Sequence, residues 1–252
     1  MDKDFLKTRV KRQKLADILP LDTPFTVNID PSGACNFSCG FCPCNTTDFR
    51  NNDRHKIMTM ELFGKIIEDL TYFPQKIKVI NLYCFGEPLL NKNVPQMVKM
   101  LREKEVCNEI IIVTNGSLLT EELNEELAGC GIDYIRISVE ALSSEGYKSV
   151  SNREVDFEKF LNNIRDLRNK CQKSPCLING GVTKIHSKCV NAMLKDEADI
   201  QRFHELFDPI SDFVSVENVE EWWGDFDPII NEDSIKVVSN VNYGGKVCTR
   251  PL

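Results

Sequence analysis

Three thiols lie within eight residues of this 252-residue chain, in the stretch Cys35-Asn36-Phe37-Ser38-Cys39-Gly40-Phe41-Cys42. Their spacing is C-x3-C-x2-C, with an aromatic residue, Phe41, directly before the third thiol. A run of this kind folds thiolates round one face of a cuboidal iron–sulfur cluster. Three protein ligands to a [4Fe–4S] cluster leave one of the four irons open. An open metal position can bind a substrate or cofactor, as it does at catalytic zinc. A second chemistry uses the same residues: a structural zinc site that takes Cys44 as its fourth ligand. Zinc sites usually pair two two-ligand clips, and no second clip lies near, which favours the cluster. The loop alone leaves both open.

Such a loop needs a scaffold, and the flanking pattern supplies one. Pro24 to Asp30 alternates like a first strand, and Pro31, Ser32 and Gly33 turn the chain into the cysteine loop. A helix over Met60–Leu70 follows, with Thr59 as its N-cap, and then a strand over Lys76–Tyr83 that leads into Gly86-Glu87-Pro88. A helix over Val94–Glu105 precedes a strand over Glu109–Val113 that runs into Thr114-Asn115-Gly116, where glycine would supply a positive φ. The pattern continues with a helix over Thr120–Ala128, a strand over Tyr134–Glu140 and a helix over Asp156–Lys170. That last helix carries Phe157, Phe160, Ile164 and Leu167 on one face. A fifth strand over Cys176–Ile185, a helix over Asp196–Phe207 and a sixth strand over Asp212–Val219 complete the series.

Strand followed by helix, about six times, implies right-handed crossovers and a parallel sheet. Six units are too few to close an eight-stranded barrel, so the predicted fold is α/β, a partial (β/α)6 TIM-type barrel with the cysteine loop after strand one. The expected organisation is an N-terminal helix and lead-in over 1–24, the barrel over 25–219 and a bridge over 220–252. Every candidate functional residue falls at the C-terminal end of a strand, and in a barrel those ends meet at one mouth.

Composition narrows the function. A net charge of −7, with lysines and arginines scattered, argues against a nucleic-acid surface. No stretch reaches the roughly 20 apolar residues of a membrane span, and the N-terminus lacks a signal-peptide core, so a cytoplasmic protein is expected. Eleven cysteines in that compartment read as metal ligands or buried thiols rather than disulfides.

The C-x3-C-x2-C run with Phe41 resembles the signature of the radical S-adenosylmethionine (SAM) enzymes. Gly86-Glu87-Pro88 resembles the Gly-Gly-Glu-type motif of that family, with Phe85 in place of the first glycine. Ser138 and Glu140 match its serine-x-acid at the end of strand four, and Thr114-Asn115-Gly116 matches a turn beside its active site. Taken singly, each of these later motifs also reads as local structure: a Gly-Pro turn, a half-buried strand, a strand-to-helix turn. Their joint order carries the resemblance.

The resemblance implies a [4Fe–4S] cluster on Cys35, Cys39 and Cys42, with SAM on the open iron. It further implies SAM contacts from Phe41, Gly86, Glu87, Pro88, Thr114, Ser138 and Glu140, and an adenine seat at Gly180-Gly181-Val182. No side chain need act as a catalytic residue, because one electron from the reduced cluster splits SAM into methionine and a hydrogen-abstracting 5′-deoxyadenosyl radical. The implied partners are an external one-electron reductant of flavodoxin or ferredoxin type and a substrate. A small molecule such as a sugar or aminocyclitol is expected ahead of a peptide. Cys248, followed by Pro251, resembles the opening of a SPASM extension cut short at the end of this sequence. The alternatives are a non-enzymatic zinc-binding scaffold using Cys35, Cys39, Cys42 and Cys44, or a catalytically incomplete SAM-binding fragment.

Overall fold

A computed structural model describes residues 18–42, 44, 55–173 and 181–217. Most of the predicted N-terminal helix, the 220–252 bridge, Gly180 and Cys248 lie outside them. Six strands form one sheet in the order β1-β2-β3-β4-β5-β6, with every neighbouring pair parallel. They are β1 (Thr26–Asn28), β2 (Ile77–Asn81), β3 (Cys107–Thr114), β4 (Tyr134–Ser138), β5 (Lys184–Val190) and β6 (Phe213–Glu217). The helices are α1 (Met60–Leu70), α2 (Val94–Glu103), α3 (Glu121–Gly129), α4 (Ser144–Ser151), α5 (Phe157–Lys173) and α6 (Glu197–Phe207). This is the partial α/β barrel that the strand–helix alternation implies.

Local chemistry sets the helix starts. Thr59 accepts a hydrogen bond from Leu62 N, Thr120 from Leu123 N and Asp196 from Asp199 N. Each satisfies one of the amide donors left open at a helix start. The apolar stripes bury Phe63 and Ile67 on α1, and Phe160, Ile164 and Leu167 on α5. Tyr147, wholly buried on α4, packs against Phe157 and Phe160 with ring centroids 6.1 and 5.4 Å apart. Pairs of this kind contribute about 0.5–1.5 kcal/mol each beyond their area.

Three expectations need correction. β5 runs Lys184–Val190, so Gly181 and Val182 precede the strand rather than lie on it, and positions 176–180 of the expected strand lie outside the described residues. β4 ends at Ser138, although Val139 N still bonds to Lys188 O at 2.8 Å, and Glu140 follows in the loop. α4 was not foreseen. It has only two buried residues, Tyr147 and Ser151, and its signals are end signals: Ser143 caps Gly146 N, and Asn152 closes it at φ 53°.

Along β4 the burial alternates, with Ile135 and Ile137 buried and Tyr134, Arg136 and Ser138 half-buried. The apolar set packs on the helices: a Cβ placed on Gly116 would lie 3.0 Å from both Ile137 and Phe160. The other set faces the inside of the barrel. No helix among the described residues is long and apolar enough to cross a membrane.

Candidate active site at the strand ends

The cysteine loop leaves β1 and is held from three sides. On the first side, Phe37 is buried and meets Tyr147 edge-on at 6.1 Å, while Ser38 N donates to Ser151 O at 2.9 Å. The unforeseen α4 is therefore what seats the loop. On the second side, Glu87 N donates to Ala34 O at 2.8 Å, and Gly86 packs directly under the loop backbone. A Cβ at Gly86 would stand 1.9 Å from Ser32 O and 2.5 Å from Ala34 O. The third side is a closed ring of side-chain hydrogen bonds. Asn115 Nδ2 donates to Asn36 Oδ1 at 2.8 Å, Asn36 Nδ2 to Ser117 Oγ at 2.8 Å, and Ser117 Oγ to Asn115 Oδ1 at 2.7 Å.

Within the loop, Cys42 N donates to Cys39 O at 3.1 Å and Phe37 N to Cys35 Sγ at 3.4 Å. The three thiols sense one another, and the surroundings oppose their ionisation at two of them. Burial first, then Glu87 and Cys42, push Cys35 up to about 11. Burial, Glu140 and the other two thiols push Cys39 up as well. Cys42 is lowered to about 7 by a hydrogen bond with Cys44, which outweighs its burial. Buried thiols placed beside two carboxylates fit a site completed by a positively charged metal centre, which would reverse these penalties.

The zinc alternative fares worse. Cys44, its fourth ligand, donates to Phe85 O at 2.8 Å and also bonds with Cys42. Among the described residues, no three His, Cys, Asp or Glu side chains are gathered tightly enough to hold a single metal ion. One zinc at about 2.3 Å from every sulfur needs that gathering. A four-iron cluster binds each thiol at a separate iron, so its ligands stand farther apart.

The remaining candidates fall into two groups. Glu87 and Thr114 act within the protein. Glu87, 2% exposed, accepts from Thr114 Oγ1 at 2.6 Å, Asn115 N at 2.8 Å and Leu89 N at 3.0 Å. Its carboxylate thus ties the loop after β2 to the turn after β3, and Pro88 opens a buried 3-10 turn beside it. Gly116 adopts φ 70°, as the Thr-Asn-Gly turn requires.

Phe41, Ser138 and Glu140 form the second group. Phe41 is 36% exposed at the tip of the cysteine loop. Ser138 is half-buried at the end of β4. Glu140 is raised to about 7 by burial, with Lys188 opposing, and it bears on Cys39 and Cys42. Sequence reasoning missed Asp30, whose Oδ2 accepts from Phe85 N at 3.1 Å while Oδ1 is buried with no partner. It also missed Asn36 and Ser117, and gave Asn115 only as part of a turn. The recurrence of short amide and hydroxyl side chains in both loops was the available signal.

A parallel partial barrel with a three-thiol loop at its C-terminal mouth defines a class of metal-cluster α/β protein. Residues 29–184 match the model of the radical SAM superfamily, and the chain belongs to that superfamily. It is therefore an enzyme fold whose cofactors are a [4Fe–4S] cluster and SAM.

A probable GTP 3′,8-cyclase of Methanocaldococcus jannaschii is 28% identical over 212 residues, covering 82% of this chain and 65% of the relative. A GTP 3′,8-cyclase of Rhizobium leguminosarum bv. trifolii is 28% identical over 156 residues, covering 59% and 43%. This chain thus spans less than two thirds of the length of those relatives. Among solved structures, Streptococcus suis SuiB bound to S-adenosylmethionine superposes with a TM-score of 0.60 at 18% identity, covering 81% of this chain and 42% of that one. Native anSMEcpe with bound AdoMet gives 0.58 at 16% identity, covering 81% and 55%. Both likenesses speak to the fold.

Proposed function

We propose that residues 25–219 form the catalytic barrel of a radical SAM enzyme acting on a small molecule held inside the barrel, with 220–252 as a bridge beyond it. The observation that carries this reading is convergence. Cys35, Cys39 and Cys42, the Gly86–Pro88 loop, the Thr114–Gly116 turn, Ser138 and Glu140 come from four different strand ends; hydrogen bonds tie the second and third of these loops to each other and to the cysteine loop, and Glu87 and Glu140 bear on its thiols.

The three thiols would hold the cluster. Backbone carbonyls of the Gly86–Pro88 loop would receive the SAM ammonium, Ser138 and Glu140 its ribose or amino-acid part, and Phe41 would pack on the cluster or the adenine. Glu87 and Thr114 are positioning residues in this reading, because their polar atoms already serve each other. When bound, the pair of cofactors supplies a hydrogen-abstracting radical generated by one-electron reductive cleavage of SAM. The chain's own work is to keep the loop rigid, orient both ligands and exclude water. The electron would come from an external flavodoxin- or ferredoxin-type reductant. The likeness to relatives named for a GTP reaction supports counting a nucleotide among the candidate small molecules and lends no support to a sugar, aminocyclitol or peptide.

Anaerobic reconstitution with iron and sulfide tests the reading. A brown protein with about four irons per chain that releases 5′-deoxyadenosine on addition of dithionite and SAM is the expected result. A colourless protein with one tight zinc would overturn it.

The side-chain ring behind the loop makes a separate prediction. Asn36→Ala leaves Asn115 Nδ2 without its acceptor and Ser117 Oγ without its donor. Iron should then pass to a chelator at least about tenfold faster, as when an outer-shell partner of a metal ligand is removed. The far-ultraviolet circular dichroism should be unchanged. Chelator kinetics identical to wild type would show that the ring is incidental.

A further inference from the structure

The inside of the barrel carries a polar group that the SAM and cluster assignments leave unused. The register aligns Arg136 on β4 with His186 on β5 and Phe213 on β6, and one step further along Ser138 with Lys188 and Ser215. Arg136 Nη2 donates to Glu217 Oε1 at 2.6 Å, and Lys188 Nζ stands 3.5 Å from Glu217 Oε2. Two cations thus share one carboxylate.

Arg136 Nε is buried with no hydrogen-bond partner, so its donor set is incomplete. Tyr83, two residues beyond β2, lies close enough to Arg136 to feel its charge. His186 Nε2 pairs with Ser215 Oγ at 2.8 Å; burial, then Arg136, push its pKa down to about 4, so it adds no charge. The next carboxylate outward, Glu140, bears on the cysteine loop. In a chain of net charge −7, Arg136, Lys188 and Glu217 together therefore carry one unit of positive excess, next to an unsatisfied guanidinium donor.

We propose that Arg136 and Lys188 form the seat of a single carboxylate on the substrate, with Glu217 as the resident counter-ion that the substrate displaces or shares. The inference rests on the radical SAM reading for the word substrate, but its physics is that of the wall alone. A planar guanidinium fork matches a carboxylate geometrically. One unit of excess charge balances a monoanion. A polyphosphate entering the same wall would meet Glu217 and Glu140 as like charges, so this seat separates the chain from a triphosphate substrate.

The test uses the anaerobically reconstituted protein and 13C-labelled acetate as the probe, read by carbon line broadening at constant ionic strength, with inorganic phosphate and pyrophosphate as competitors. The expected result is millimolar binding of acetate that neither competitor displaces at equal concentration. Arg136→Met and Lys188→Met should each abolish the broadening. Glu217→Gln should tighten binding by about tenfold, because it removes the competing anion while keeping the side chain's shape. A merely structural ion pair would not give that gain.

Sharp acetate lines with wild type, an unchanged affinity in Glu217→Gln, or stronger competition by phosphate or pyrophosphate would overturn the assignment. Should Arg136→Met not fold, Lys188→Met and Glu217→Gln still decide it. SAM cleavage measured on the same sample separates the two readings. Cleavage without acetate binding sinks the carboxylate seat alone, and acetate binding without cleavage sinks the radical reading alone.

Discussion

Cys39→Ala, with Cys44 untouched, is expected to leave a folded protein that retains little iron after reconstitution and releases 5′-deoxyadenosine only at background. Cys39 is buried, and Phe37 and Ser38 on one side and the turn to Cys42 on the other fix its place. No nearby thiol can move into that place. Cys44 is the one candidate, and it is held by Phe85 O at 2.8 Å and by Cys42. Loss of a direct ligand should cost more than the roughly 10–100-fold typical of an outer-shell change. Iron content and product release should fall together. Cleavage that persists at the wild-type level would show that the loop does not ligate the cluster through Cys39.

Gly86→Ala should be the most damaging substitution outside the thiols, although it adds only a methyl group. The new Cβ would stand 1.9 Å from Ser32 O and 2.8 Å from Ser32 C. These are backbone atoms with no rotamer to escape into, so the cysteine loop must lift or the loop after β2 must sink. Overpacking of this kind costs about 1–3 kcal/mol and occasionally more, and here the upper end is expected. For a chain of this size about 3 kcal/mol corresponds to a fall of roughly 6–12 °C in Tm. Cluster content should fall with it, because the loop that moves carries Cys35. A Tm within about 2 °C of wild type would contradict this packing. The glycine of this motif is thus required by the chain's own loop before any ligand is considered.

Where the sequence could be read, short-range chemistry decided the outcome. The α1 boundaries, the Thr59 and Thr120 caps and the positive φ of Gly116 each follow from one or two side chains acting on nearby backbone. The three-thiol loop was legible for the same reason.

β5 was misplaced because its inward residues are Lys184, His186 and Lys188, and its outward ones include Ser187. A strand buried in a parallel sheet ordinarily reads as an apolar run. This one breaks the rule where the interior is polar, which is also where the carboxylate seat lies. Glu87 has a role within the protein that its type did not announce. Its type suggested a ligand contact, and its oxygens also accept from Thr114, Asn115 and Leu89. Pairings between residues 27 or 28 positions apart leave no periodic trace. α4 escaped notice because an eight-residue helix with two buried side chains has almost no stripe to detect.

The strictly sequential strand order has an evolutionary corollary. Each strand pairs only with its neighbours in the chain, so the first and last strands of the sheet are joined only through those between them. The thiol loop and its supports belong chiefly to β1–β3 and α4, while Arg136, Lys188 and Glu217 belong to β4–β6. A lineage can therefore rewrite the far wall, one strand at a time, and acquire a new substrate without retuning the machinery that makes the radical. Divergence within such a barrel should be graded along the sheet, slow at its first edge and fast at its last.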